Sequence, residues 1–195
     1  MGKLIYLMGK SSSGKDTVYR ELLRDPSLNF KKVVLYTTRP IREGETDGVQ
    51  YHFVDDEVYL RFLGENKLIE SRVYNTYHGL WRYFTVDDGS VDLSKDDYLI
   101  IGTLDSYEKT ANYYGKDKVL PIYIEVDDGI RLERALSRER AQDNPRYEEM
   151  CRRFLADTAD FSDARMEQAG ITRRFNNEDL DGCLNEIKDY ISENM

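Results

Sequence analysis

The chain has 195 residues and a formal net charge of -9. That length supports one substantial core, read as a single domain with insertions. The acidic balance excludes nucleic acid or an anionic membrane as the main partner, because both need a basic face, so any anion site here has to be locally basic. Cys151 and Cys183 sit far apart without C-x-x-C spacing, which argues against a zinc site or a disulfide framework and predicts reduced core thiols. The first residues lack a signal-peptide apolar region, no apolar run approaches the ~20 residues of a membrane helix, and Tyr6 departs from the Gly2 myristoylation pattern. A cytoplasmic protein is expected.

In chain order, residues 3–8 (Lys-Leu-Ile-Tyr-Leu-Met) form an apolar run of strand length. It leads into Gly9-Lys10-Ser11-Ser12-Ser13-Gly14-Lys15, which fits the G-x-x-x-x-G-K part of a P-loop. Asp16 to Arg24 then reads as a helix, with Val18, Leu22 and Leu23 on one face. In a strand, loop, helix context the glycines allow backbone angles that other residues resist, and the N–H groups of Ser11, Ser12 and Ser13 turn inward at the positive end of the helix dipole. That is a cradle for phosphate, and Lys15 reaches the terminal phosphates. Asp16 stands where a P-loop usually has the Ser or Thr that contacts magnesium, and Thr17 follows one residue late.

After a turn at Asp25-Pro26-Ser27, residues 31–36 read as a second strand. Arg39 and Arg42 then flank Pro40, whose fixed backbone lets both guanidinium groups converge on one dianion; two solvated arginines beside a turn fit the same residues. Tyr51 and Phe53 favour a strand, and a helix is expected over 55–64. Lys67-Leu68-Ile69-Glu70 follows, with Glu70 readable as an ordinary surface acid when taken alone.

The loop at Gly9 to Lys15, the segment Thr37-Thr38-Arg39-Pro40-Ile41-Arg42-Glu43-Gly44 through Tyr51-His52-Phe53, and Lys67-Leu68-Ile69-Glu70 together resemble the guanylate kinase family, over nearly the whole chain. The resemblance implies a P-loop α/β fold with a parallel sheet covered on both faces: a core over 1–36, 96–126 and 170–195, an inserted monophosphate-binding lobe over 37–90 and a helical lid over 127–169. It implies that Arg39, Arg42 and Tyr51 hold the phosphate of GMP, while Glu70 accepts hydrogen bonds from guanine. A carboxylate takes two parallel N–H donors from guanine's edge, and adenine offers no such pair. It also implies ATP carried with Mg2+ as the donor. The sequence departs from the family pattern at Leu35, at His78 and at Leu80, which removes two hydroxyls from the base site and one phenol from the phosphate site. His78 either replaces that phosphate donor or sits as a half-buried histidine.

Residues 98–101 read as a buried strand ending at Gly102, with Asp105 either a metal ligand through water or the N-cap of a helix over 106–114. Asp16 and Thr17 are the other candidate metal contacts. A core strand over 119–126 and a helix over 127–141 follow, the helix carrying Arg131, Arg134, Arg138 and Arg140 at spacings that crowd like charge. By resemblance Arg134 and Arg138, with Arg153 on the next helix, are lid arginines that neutralise charge on the passing phosphoryl group. One helix is expected from Arg146 to about Gln168, then a strand over 171–175. Asn176 stands where the family places an asparagine near the ATP base. Leu180, Leu184, Ile187 and Ile191 give the closing helix its apolar stripe.

The expected activity is ATP-dependent phosphorylation of a nucleoside monophosphate, GMP or dGMP first. The open alternatives are another phosphorylated acceptor, such as a ribose bisphosphate, and a binding module without catalysis. Oligomeric state is left open by the sequence.

Overall fold

Why residues 4–8 are apolar without interruption is clear from their surroundings in the computed structural model, which describes residues 2–76 and 79–195. Strand β1 (Leu4–Gly9) lies at the centre of a sheet buried on both faces, so every side chain needs an apolar neighbour. Leu4, Tyr6 and Met8 point into one core cluster; Ile5 and Leu7 point into the other. The remaining elements are α1 (Lys15–Arg24), β2 (Lys31–Lys32), β3 (Leu35–Thr37), β4 (Tyr51–Phe53), α2 (Asp56–Gly64), β5 (Leu68–Thr76), β6 (Gly79–Val86), β7 (Tyr98–Gly102), α3 (Leu104–Tyr114), β8 (Val119–Glu125), α4 (Asp128–Arg140), α5 (Tyr147–Asp160), α6 (Asp163–Gln168), β9 (Arg174–Asn176) and α7 (Leu180–Asn194).

Among the described residues the central sheet has the order β2-β7-β1-β8-β9, with every neighbouring pair parallel. One face is covered by α1 through Val18 and Leu22 and by α7 through Cys183, Ile187 and Ile191. The opposite face meets Leu104, Tyr107 and Ala111 of α3 and Met166 of α6. Each fully buried aliphatic side chain in these layers contributes about 1.5–3 kcal/mol relative to exposure. Pro121 is tolerated inside β8 for a simple reason. Lys118 O accepts Leu4 N–H, so alternation turns the Pro121 position away from β1, to the flank where β9 pairs only from Tyr123 onward.

A second sheet of order β4-β3-β6-β5 forms the inserted lobe. Its register decides which residues share a face. Tyr36 lies opposite His52 and Phe84, and that face is covered by α2, with Phe62 5.4 Å from Tyr36 and Tyr59 5.0 Å from Phe84 between ring centres. The other face carries Leu35, Thr37, Tyr51, Phe53, Tyr83, Thr85, Glu70 and Arg72.

Several boundaries differ from the expectations. The strand expected over 31–36 is split: Lys31 and Lys32 pair with β7 in the central sheet, and Leu35 to Thr37 belong to the lobe. Val33 and Leu35 are both buried in the same core cluster, so no polar residue or breaker marks the crossing. The single helix expected from Arg146 to Gln168 is broken after Asp160, where Phe161 turns into the core and stacks on Tyr123 at 5.3 Å. Gly170 ends α6 as expected, in the left-handed region at φ 76°, with Gly170 N–H on Glu167 O and Ile171 N–H on Met166 O. That cap leaves Ile171 in the core and delays β9 to Arg174. Asp105 is not the cap of α3; Thr103 is, in a reciprocal capping box with Ser106. Of the two thiols expected in the core, Cys183 is buried but Cys151 is exposed. Among the described residues no helix is long and apolar enough to cross a membrane.

Candidate active site

The loop between β1 and α1 is built on close backbone approach. A Cβ on Gly9 would lie 2.7 Å from Ile124 O and 2.9 Å from Ser13 Oγ, so only glycine fits there. Ser12 adopts φ 64° and Gly14 φ 82°, which curls the loop before the first helical turn closes onto Gly14 O. The hydroxyls of Ser12 and Ser13 are buried without a hydrogen-bond partner among the described residues. A buried polar group without a partner is costly, and a ligand with acceptor oxygens satisfies it.

Lys15 opens α1 and is partly buried. Burial lowers its pKa from the ordinary lysine value; Asp16 and Asp157 work in the other direction, and Arg153 and Arg138 reinforce the lowering. The lid arginines thus lie in the same electrostatic neighbourhood as the loop lysine. Arg153 of α5 reaches Ser11 Oγ at 3.2 Å, and Arg134 of α4 donates to Asn177 O at 3.2 and 3.3 Å. Arg138 is exposed on the next turn of α4. Asn177, not Asn176, touches the loop: its Nδ2 donates to Ser13 O at 2.8 Å, whereas Asn176 exchanges hydrogen bonds with Glu178. Asn176 does line a cavity of about 290 Å³ that also includes Lys10 and Val126.

Two further residues belong to this cluster and were not singled out from the sequence. Arg131 is fully buried, donates from Nε to Ser11 O at 3.1 Å, pairs with Asp128, and stacks its guanidinium 4.6 Å from the ring centre of Phe154. Asp157 accepts the Ser11 N–H at 2.6 Å and stands 3.7 Å from Arg131 Nη2. A carboxylate from α5 therefore already occupies one donor of the loop. Crowded arginines were the only sequence signal for Arg131, and Asp157 gave none.

On the lobe, the structure brings Arg39, Tyr51 and Glu70 to the face away from α2. Arg39 is buried, its guanidinium 5.3 Å from the Tyr51 ring centre and 5.1 Å from that of Phe53. Glu45 grips it with two hydrogen bonds, Nη1 to Oε2 at 2.7 Å and Nη2 to Oε1 at 2.6 Å. This pair raises the Arg39 pKa and brings Glu45 down to about 2. The expected convergence of Arg39 and Arg42 is not met: Arg42 is exposed, and only its backbone N–H reaches Glu45. The turn supplies its own acid where a phosphate was expected to gather both arginines. Burial raises the Tyr51 pKa, Tyr83 adds to it, and Asp16 contributes in the same direction, so the helix after the loop faces this tyrosine. Glu70 is buried and bonded to Arg72 and Thr85. Tyr6 of β1, whose pKa is raised chiefly by burial, also feels Arg72 and Glu70, which sets the lobe pair against the strand that carries the loop.

Leu35 is buried and Leu80 is half exposed, so neither offers the missing hydroxyl. His78 lies outside the described residues. Among the described residues no three His, Cys, Asp or Glu side chains are grouped to hold a metal. Asp16 is exposed and Thr17 Oγ1 accepts from Arg20, while Asp105 is taken up by Arg165, which argues against its expected place on a metal.

A family model described as guanylate kinase matches residues 1–83. A guanylate kinase of Anaplasma phagocytophilum (strain HZ) is 31% identical over 145 residues, which cover 74% of this chain and 67% of that protein. A guanylate kinase of Mycoplasma mycoides subsp. mycoides SC is 44% identical over 69 residues, 35% of this chain and only 23% of that relative. The crystal structure of guanylate kinase from Anaplasma phagocytophilum superposes with a TM-score of 0.70 at 21% identity, covering 100% of this chain and 87% of that one. At that identity the superposition speaks for the fold.

Proposed function

This chain belongs to the guanylate kinase family, and from that premise we propose that it transfers the γ-phosphoryl group of ATP to a nucleoside monophosphate, GMP first among them. The single observation that carries the reading is the meeting, around the loop at Ser11 to Lys15, of one lysine and arginines from two separate helices, with Arg39 and Tyr51 on the lobe face opposite Asp16. Phosphoryl transfer needs little covalent help from a protein; it needs anions held in line and their charge neutralised.

In this reading the ATP phosphates lie on the loop, where the Ser12 and Ser13 hydroxyls gain their partners. Lys15, Arg138 and Arg153 offset the charge of the transferring group. Arg39 and Tyr51 hold the acceptor phosphate, with Arg42 joining as it arrives, and Glu70 meets the base. An acceptor phosphate oxygen forms the new bond to the γ-phosphorus as the bond to the β,γ-bridging oxygen breaks, and ADP leaves with that electron pair. Magnesium carried with ATP neutralises part of this charge. Asp16 and Thr17 are hard oxygen donors that suit it, and with no larger acidic group among the described residues the phosphates and water complete its shell. Arg134 and Asn177 fix the loop from behind.

A coupled ADP-release assay with ATP, magnesium and a panel of monophosphates tests the proposal. GMP should be turned over, and Lys15→Ala should lower kcat by about 10²-fold or more while the circular dichroism spectrum stays unchanged. Undiminished turnover in that variant would remove Lys15 from the reaction.

A further inference from the structure

The surroundings of Glu70 decide which ring it can accept. The side chain is completely buried, and both oxygens are engaged: Oε2 accepts Arg72 Nε at 3.1 Å, while Oε1 accepts Arg72 Nη2 at 3.2 Å and Thr85 Oγ1 at 2.9 Å. A carboxylate oxygen offers about two acceptor positions. Oε1 is therefore filled, and Oε2 keeps one. Guanine presents two parallel donors, N1–H and the 2-amino N–H, and satisfying both needs a free position on each oxygen.

Arg72 comes with the fold and not by chance rotation of a surface chain. It lies two residues after Glu70 on β5, so both side chains share the face of the lobe sheet that looks away from α2. Its side chain is 15% exposed, and it lines a cavity of about 310 Å³ together with Ser71, Thr103, Asp105 and Lys109. The guanidinium thus borders open space beside the one acceptor position that Glu70 retains. A planar group with five N–H donors in that position presents donors to whatever ring enters.

We propose that Arg72 is a specificity-determining residue of the acceptor site: it turns a double acceptor into an acceptor beside a donor, matched to a ring N–H next to a carbonyl oxygen. The inference rests on the reading of Glu70 as the base contact. Guanine and hypoxanthine both carry that edge, N1–H beside O6, and differ only in the 2-amino group, for which Glu70 has no position left. Adenine has no ring N–H at that edge and offers a nitrogen acceptor to a buried carboxylate, which leaves a polar group unpaired and is rejected. The predicted acceptor class is thus 6-oxopurine monophosphates with or without a 2-amino group.

The test compares kcat/KM for GMP, IMP and AMP, with calorimetric binding of the same nucleotides as a second readout that needs no turnover. The wild-type ratio of GMP to IMP should stay below about tenfold, with AMP at least tenfold poorer than IMP. Arg72→Gln, which frees acceptor positions on Glu70 yet leaves it an amide donor, should raise the GMP to IMP ratio at least fivefold. A wild-type preference for GMP of tenfold or more, AMP accepted as well as IMP, or an unchanged ratio in a folded Arg72→Gln protein, overturns the inference while leaving the kinase reading intact. Should the variant fail to fold, the wild-type ratios decide alone. Absence of turnover with every monophosphate overturns the kinase reading instead, and the binding ratio still judges Arg72.

Discussion

Lys15 holds its charge where burial works against it, and that conflict has consequences for stability as well as for catalysis. Its pKa in the folded chain is lowered, first by burial and then by Arg153 and Arg138, with Asp16 and Asp157 opposing. Between the lowered folded value and the ordinary value near 10.5 the unfolded chain binds more protons than the folded one, so the stability contribution of this group rises with pH across that window. Below it the cost of burying the charge is carried in full. Lys15→Ala should therefore melt at a higher temperature than the wild type at neutral pH, and the gap should narrow as pH passes through the window toward 10.5. Thermal melts of both proteins across pH check this; a variant that melts lower at neutral pH would show that the lysine stabilises the empty loop. The same residue would then combine a catalytic gain with a stability cost, as active-site groups commonly do.

At the scale of elements, α5 is held to the rest of the chain in an unusual way. It contains no buried residue, and its attachment to the loop runs through Asp157 on Ser11 N–H, Arg153 on Ser11 Oγ and the Phe154 ring against Arg131. An acid thereby occupies a donor that a phosphate oxygen would use, so an arriving nucleotide has to compete with Asp157 for it. Asp157→Asn should tighten ATP binding severalfold, measured as a lower Kd by calorimetry, because an amide oxygen without charge is a weaker rival for the N–H. An unchanged Kd would mean that the carboxylate and the phosphates do not share the donor. The reason this contact was not legible in the sequence is distance: Ser11 and Asp157 are 146 positions apart, and no local pattern links them. The strand, loop and helix around Gly9 to Lys15 were legible because each piece is fixed by its own neighbours, an unbroken apolar run, two glycines and a 3.6-residue stripe. The split of β2 from β3 and the break between α5 and α6 were not. Both turn on where an apolar side chain lands, Val33 and Leu35 in one case and Phe161 in the other, and an apolar residue looks the same in sequence whether it continues an element or ends it. The departures at Leu35 and Leu80 were visible in the sequence, but Arg72 as partner of Glu70 was not, since an i, i+2 pair shares a face only once the segment is known to be a strand.

For the molecule as a whole, burial is divided unequally, and the inequality falls along functional lines. The central strands β1, β7 and β8 carry Ile5, Leu7, Leu99, Ile122 and Ile124 with no exposed surface at all, pressed between helices on both sides. The lobe helix α2 and the lid helix α5 contain no buried residue. Opening such an element exposes little apolar surface, so its free energy of opening should be far below that of global unfolding, whereas a central strand opens only when both core clusters come apart. Hydrogen exchange read by mass spectrometry should thus order the chain: α2 and α5 first, α1 and α7 later, and β1, β7 and β8 last. Nucleotide enters this hierarchy from one side. ATP on the loop adds contacts to α4 and α5 through their arginines, and the acceptor adds contacts to the lobe face, so each substrate should slow exchange in its own element and leave the central strands unchanged. Protection of α5 by ATP alone, of the lobe strands by GMP alone, and of both when ADP and GMP are present together, is the expected pattern. Exchange in α5 as slow as in β1 before any ligand is added would mean that ion pairs and one stacked arginine anchor this helix as firmly as a packed core, and a lid able to open would have no place in the mechanism.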